Sequence, residues 1–364
     1  MPIVPLRTGE LSDRQFMDLL LLAHDNMEPG TLEIAMRDQV FAFLDLLAAR
    51  VVMRSGTNIA WQIQLDEGGN AQWTDLYGTK DPAVADYGYP AHVPWKHITT
   101  DWSFDRREPE MQQGRAMIFD IVESRRLAEM QKFARTIETA AWAIPTLPTS
   151  QEVWGFPTWI VKAEDATGIG FYSGRPNSSA NWATVAGIAP CTSGDGTSSI
   201  AGGKDMWRNY CAPYTAVDAT CLKRIRTAMK RTHFQIPALM KLSDAMVKSQ
   251  LRMFTNIDTC VELETLAEQR NDNLGAQLIM YEGTVLLGRS AVAGIGQLDS
   301  DTDDPIYGIN LSKFDLMALV GEYFRQGDPR KRDRQPTVAT TDLDLSFQIR
   351  CRNRRLGGFV VNKV

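Results

Sequence analysis

The clearest pattern lies near the carboxyl end, where Leu343, Leu345, Phe347, Ile349 and Cys351 fall on one side and Asp344, Ser346, Gln348, Arg350 and Arg352 on the other. Successive strand side chains point to opposite faces, so this alternation predicts a half-buried strand. The same period at Ile59, Trp61, Ile63 and Leu65, spaced by Ala60, Gln62 and Gln64, predicts another. Residues 93–104 read as a third. Between the last two, residues 66–90 carry Gly68, Gly69 and Gly78 among Trp73, Leu76, Tyr77, Tyr87 and Tyr89, without periodicity. The aromatic content argues against a disordered tether, and structureless loops of more than about a dozen residues are uncommon in compact domains. A two-stranded loop with apolar residues near its tip has little to pack on in its own subunit and is expected to lie on a neighbour.

Helical spacing takes over elsewhere. Ser12 and Gln15 form a capping-box pattern ahead of Phe16, Leu19, Leu20 and Ala23, Pro29-Gly30 breaks the chain, and residues 34–49 read as a second apolar helix. From Pro109 to about Ala143, the positions Ile118, Ile121, Val122, Phe133, Ile137 and Ala141 predict one long helix, stopped by Pro145 and Pro148. Roughly 35 residues at about 1.5 Å each make a rod of roughly 50 Å, suited to an elongated domain. A strand is expected over 158–162, then Gly/Ser/Thr-rich turns as far as Gly203, then helices over 216–233, 242–253 and 259–270. A hairpin over 278–287 turns at Glu282-Gly283, and a further helix is expected over 312–324 with Asp315 at its capping-box position. The class is α+β, without internal repeats.

Composition narrows the function classes. With 44% hydrophobic and 23% charged residues the chain can bury one large core or two smaller ones. A net charge of -5 gives no global attraction to a phosphate backbone. Five cysteines, odd in number and without a CxxC pair, fit reduced thiols better than a disulfide framework or a zinc ribbon. No apolar run is long enough to span a bilayer and no signal-peptide pattern opens the chain, so a soluble protein without a membrane partner is expected.

Candidate chemistry is sparse. Asp299, Asp301 and Asp303 open like a calcium loop, but Asp304 and Asn310 stand where glycine and glutamate belong. Gly168, Gly170 and Gly174 miss the dinucleotide spacing, and Gly203-Lys204 lacks both the first glycine and the following hydroxyl of a phosphate loop. His92 and His97 point to opposite faces of a strand. No catalytic, cofactor or metal residue is assigned. Charge is segregated instead: residues 221–252 hold eight basic side chains and one acidic, whereas 258–304 is strongly acidic. These are either solvated helix faces or complementary patches that meet across subunit boundaries.

The order of arm, long loop between strands, very long helix, Gly-rich stretch, helical region and closing strand resembles the Hong Kong 97-type capsid fold of tailed-phage major capsid proteins, shared with encapsulins and herpesvirus capsid floors. The stretches LKRIRTAMKRTHF (222–234), LETLAEQRNDNLG (263–275), DSDTDDPIYGINLSKF (299–314) and LDLSFQIRCRNRRLGGFV (343–360) are similar to phage capsid sequences. The resemblance implies an N-arm and anchoring helix over 1–55, an extended loop over 56–106, a peripheral domain with the spine helix over 107–205, an axial domain over 206–335 and a return strand of the peripheral domain over 336–364. It further implies an icosahedral head around double-stranded DNA, built in the host bacterial cytoplasm from hexamers and pentamers of the chain itself. A separate scaffold protein, a portal and a decoration protein are the implied partners, with non-specific contact to packaged DNA, no cofactor and no enzymatic activity. The subunit interface is expected to use Trp73, Leu76, Tyr77 and Lys80 from the loop and the basic group Arg350, Arg352, Arg354 and Arg355. In some relatives a loop lysine forms an isopeptide bond with asparagine. Lys80 with Asn353 or Asn362 would be the equivalent, although a solvated lysine is the simpler reading. Two other readings stay open: an encapsulin-like shell enclosing cargo protein, and a carbohydrate-active enzyme with paired carboxylates.

Overall fold

The computed structural model describes residues 42–43, 50–65, 73–76, 88–105, 107, 115–163, 168–171, 174–176, 180–190, 204, 206–234, 251–270, 278–281, 284–287, 290–332 and 335–364. The expected helices over 12–23 and 34–49 lie almost wholly outside the described residues. Within the second, however, Phe43 is fully buried, and its amide donates to both carboxylate oxygens of Glu138 at 3.0 Å.

Strands β1 (Val51–Arg54), β2 (Asn58–Gln64), β3 (Gly88–Pro94) and β4 (Lys96–Asp105) come first. The alternation read in β2 is real, since Ile59, Ile63 and Leu65 are buried between exposed neighbours. β2 pairs antiparallel with β3 from Asn58 opposite Pro94 to Gln64 opposite Gly88, so the loop between them leaves from a two-stranded ladder. The run expected as one strand over 93–104 is two. The chain changes partner at Trp95, next to Pro94, which has no N–H to give a ladder. Helix α1 (Arg115–Ala141) follows, with Met130, Phe133, Ala134, Ile137 and Ala141 buried along one face.

Residues 158–162 do not form the expected strand. The turn Phe156–Trp159 is a short helix, α2, with proline in its first turn and all four side chains buried. β5 (Tyr210–Tyr214) and α3 (Ala219–Arg231) come next, the helix capped by Asp218, whose carboxylate accepts from the amides of Thr220 and Cys221. The helix expected over 242–253 falls largely outside the described residues, and its end belongs to strand β6 (Leu251–Thr255). α4 (Ile257–Arg270), β7 (Leu278–Tyr281), β8 (Thr284–Leu287) and β9 (Ser290–Gly294) follow, with Tyr281 opposite Thr284 closing the anticipated hairpin.

After β10 (Ile306–Asn310) the expected helix over 312–324 is replaced by strand β11 (Phe314–Leu319), and Asp315 caps nothing. Leu316, Met317 and Ala318 favour helix locally, but β11 lies between β1 and the closing strand and gains a ladder on each side. The short strands β12 (Arg325–Gln326) and β13 (Arg330–Arg332) lead into β14 (Gln335–Cys351), then helix α5 (Arg354–Gly357) and β15 (Gly358–Lys363).

Two sheets organise the molecule. In the first, β14 pairs with β4 along ten positions, from Val338 opposite Asp105 to Phe347 opposite Lys96, and with β11, β12 and β13. The second runs β5-β15-β10-β6-β9-β8-β7. Strands β5, β15, β10 and β6 are buried on both faces: Phe254, Tyr307, Ile309 and Val360 join the large core with α1 and α2, while Met253, Ile306, Phe359 and Val361 pack under the helices. α3 lies over β5 and β15, and α4 over β9, β8 and β7. Gly308 is required at the centre of this layer, because a β-carbon there would stand 2.3 Å from Cε1 of Phe359.

Candidate subunit interface

The loop between β2 and β3 presents Trp73 and Leu76 to solvent, with relative exposures of 104% and 86%. Large apolar side chains in that state are costly in an isolated chain and are natural anchors at an interface. Tyr77 and Lys80 lie outside the described residues. Both candidate acceptors for Lys80 are already used within the chain. Asn353 Oδ1 accepts from the amide of Leu356 as the cap of α5, and buried Asn362 exchanges bonds with the backbone of Ala163 at 2.8 and 3.0 Å.

The basic group at the end of β14 divides in two. Arg350 is buried: its guanidinium bonds to Asp315 on the neighbouring strand and lies 5.8 Å from the ring centroid of Trp61. Arg354 is 0% exposed, donating from Nε to the carbonyl of Trp159 and from one terminal nitrogen to those of Gly174 and Trp207, all at 3.0 Å. These two side chains tie the subunit's own interior together and correct the expectation that they face a neighbour or DNA. The alternation of β14 also misled here, because Ser346 and Gln348 on its polar side are buried as well. Gln348 earns that position by accepting the amide of Trp154 at 2.9 Å.

Arg352 and Arg355 do reach the surface. Arg352 holds Asp315 through Nε and a second guanidinium nitrogen at 2.7 and 2.9 Å while its side chain stays 55% exposed. Arg355 lies 3.9 Å over the ring of Phe171 and beside partly exposed Met206. Burial by itself would raise the Asp315 carboxyl, but hydrogen bonds from Arg352 and Arg350 outweigh it and hold the group below its ordinary value. Burial pulls Arg354 down to about 10, so it remains charged at neutral pH among its carbonyls.

Sequence reasoning missed other exposed apolar side chains: Ile257 and Val261 on α4, Met53 on β1, Val320 after β11 and Ile169. On α4 the signal was present, as apolar residues at positions 257 and 261 interrupt a polar face that carries Asp258, Glu262 and Thr265. A groove of about 400 Å³ beside them is lined by Tyr214, Val217, Val261, Leu266, Asp304 and Lys363. The acidic turn after β9 is a set of ion pairs, with Lys162 on Asp301 and Asp303 and Lys363 on Asp304. Among the described residues no cluster of three or more His, Cys, Asp or Glu is arranged to hold a metal.

No family model matches the chain, and no curated protein matches it in sequence. Solved structures do match. The capsid asymmetric unit of cyanophage A-1(L) superposes with a TM-score of 0.56 at 14% identity, covering 87% of this chain and 91% of that one. The fold is that of a phage capsid. The capsid of a native GTA particle gives 0.51 at 11% identity over 90% of this chain and 91% of that one, and a structure from Microbacterium phage Oxtober96 gives 0.50 at 14% over 89% and 91%. In each of these the match extends over nearly nine-tenths of both chains.

Proposed function

We propose that the chain is a major capsid protein, a structural subunit that builds the icosahedral head of a tailed phage around double-stranded DNA. The observation that carries the reading is a chain-long capsid fold whose loop holds Trp73 and Leu76 fully in solvent. A shell subunit needs such anchors, since repeated moderate contacts around closed rings become collectively hard to break. In this reading residues 1–55 are the N-arm, with Phe43 clamped on Glu138 as its anchor, and 56–106 the extended loop. Residues 107–205 carry the spine helix and peripheral domain, 206–335 the axial domain around the ring centre, and 336–364 the return of the chain. The two sheets cut across those boundaries: β11 to β13 join the first sheet and β15 the second. Hexamers and pentamers of the chain, a separate scaffold, a portal and a decoration protein complete the assembly in the host bacterial cytoplasm, with Arg352 and Arg355 available to acidic neighbours or DNA.

The test is assembly of the purified protein, with and without its neighbouring genes, followed by sedimentation and negative-stain microscopy. Shells or rings of five and six are expected, with nucleic acid inside the native particle; protein cargo in its place would favour an encapsulin-like compartment. Trp73→Ala with Leu76→Ala should abolish particles while the subunit keeps its wild-type circular dichroism, each anchor being worth about 2 kcal/mol or more. Normal particles from the double variant would remove the loop from the interface.

A further inference from the structure

α3 is divided along its length into two faces. Cys221, Leu222, Ile225, Ala228 and Met229 are buried on the side that meets β5 and β15. From Lys223 onward the opposite arc, roughly 160° wide at 3.6 residues per turn, holds Lys223, Arg224, Arg226, Thr227, Lys230 and Arg231. Lys223, Lys230 and Arg231 are exposed and the other three partly so. Thr227 apart, every position on the arc is cationic; none is acidic and none is apolar. No ion pair holds any of these cations among the described residues. The acids that bear on the helix, Asp218 and Glu262, act at its first turn, where both raise the Cys221 thiol. Asp218 accepts the amides of Thr220 and Cys221, and Glu262 lines the groove with Tyr214 and Val217. The far end of the helix is basic. Arg224 and Arg231 act on Tyr210, whose ring meets that of Phe171 edge-on at 5.4 Å, and the guanidinium of Arg355 lies 3.9 Å over Phe171. The cationic surface thus continues from α3 across the start of β5 to Arg355.

A face without apolar side chains is poorly made for another protein, because interface energy concentrates in buried aromatic and aliphatic anchors and lysine is depleted there. A phosphate backbone needs only the charges. Lys223 and Lys230 stand two turns apart, about 10 Å, a length over which duplex DNA presents about six phosphates. The net charge of -5 gives no general attraction to such a polymer, so contact has to be made where cations are gathered. We infer that this face of α3 is the surface on which packaged double-stranded DNA lies, held through its phosphates and without reading of sequence. Phosphate contacts fix position and carry no base information, which suits a subunit that meets every part of a genome. The inference rests on the shell reading and adds to it which side of the second sheet faces the interior.

Acetylation of native particles, purified both filled with DNA and empty, tests it. Read by mass spectrometry against the other lysines of the chain, Lys223 and Lys230 should react several-fold more slowly in filled particles than in empty ones. Equal protection in both would mean that a protein covers α3, and free reaction in both that the face is merely solvated; either overturns the inference. Lys223→Gln with Lys230→Gln and Arg231→Gln gives an independent reading. All three positions are exposed, so circular dichroism and shell assembly should match wild type. With the unassembled subunit and a duplex of about 30 base pairs, followed by fluorescence anisotropy, log affinity against log salt should fall less steeply by about 2–3, at about 0.9 per lost phosphate contact. A wild-type slope overturns the inference, and so does a folded variant that forms no shells, since the face would then serve a protein contact. All of these outcomes leave the shell reading standing. If wild type forms no particles, or its native particles hold no nucleic acid, the shell reading falls and the α3 surface with it.

Discussion

Arg354 offers the sharpest check on how the interior is tied together. Its guanidinium, wholly out of solvent, bonds to three backbone carbonyls from three separate stretches, those of Trp159, Gly174 and Trp207, and lies 5.6 Å from the ring centroid of Trp207. Arg354→Met keeps much of the volume and removes all three donors. Charge-assisted bonds are worth about 1.5–3 kcal/mol each, so the gross loss is roughly 4–9 kcal/mol. Part of it is offset, because the wild-type chain must desolvate a charge, a cost of several kcal/mol that the methionine avoids. A net destabilisation of about 3–5 kcal/mol follows. With a denaturant slope of about 5 kcal/mol/M for a chain this long in guanidinium chloride, the midpoint of the unassembled subunit should fall by roughly 0.6–1 M. Arg354→Lys should fall similarly, since one ammonium on a flexible stem cannot span three carbonyls held by a planar fork. A midpoint within about 0.2 M of wild type for the methionine variant, a change worth about 1 kcal/mol at that slope, would refute the reasoning.

Two further outcomes follow from the packing. Asp315 has a carboxyl held below its ordinary value, so its contribution is fully present above the unfolded carboxylate value of about 3.9 and is lost as pH falls through the lower folded value. Asp315→Asn should therefore cost about 3–5 kcal/mol at pH 7 by leaving Arg350 buried without its counter-charge, and the gap to wild type should narrow on acidification; denaturation midpoints at about pH 7 and pH 3 that differ equally would sink the ion-pair account. Gly308→Ala would push a methyl into the ring of Phe359 and should lower stability by about 1–3 kcal/mol, with Phe359→Leu in the same chain recovering part of the loss, read from thermal midpoints.

What could be read beforehand depended on whether the signal was local. β2, the long helix, α3, α4 and the β7–β8 hairpin all show their own periodicity or turn chemistry, and each forms where it was expected. β11 did not announce itself, because Leu316, Met317 and Ala318 prefer helix and only the flanking ladders to β1 and β14 make them a strand. β5, β10 and β15 were missed for a different reason. Buried on both faces, YCAPY, IYGIN and GFVVNK have no alternation to detect. Arg350 and Arg354 were misplaced at the surface for a third reason. Their partners lie far away in sequence, Asp315 being 35 positions from Arg350 and Trp159 being 195 from Arg354, so half of a basic run that looked like a surface is interior.

β14 and β15 come after the other strands in the sequence, yet they are interior to their sheets. β14 joins β4 to β11, and β15 stands between β5 and β10. Without residues 335–364, β4 loses the strand that joins it to β11 and β5 the strand that joins it to β10, while β1 with β11 and the run β10-β6-β9-β8-β7 keep their own pairings. Joining β4 to β14 and β5 to β15 across such sequence distances is slow, as long-range pairing is in general. One short stretch, residues 335–364, thus carries a joint of each sheet, so damage to it would open both layers at once.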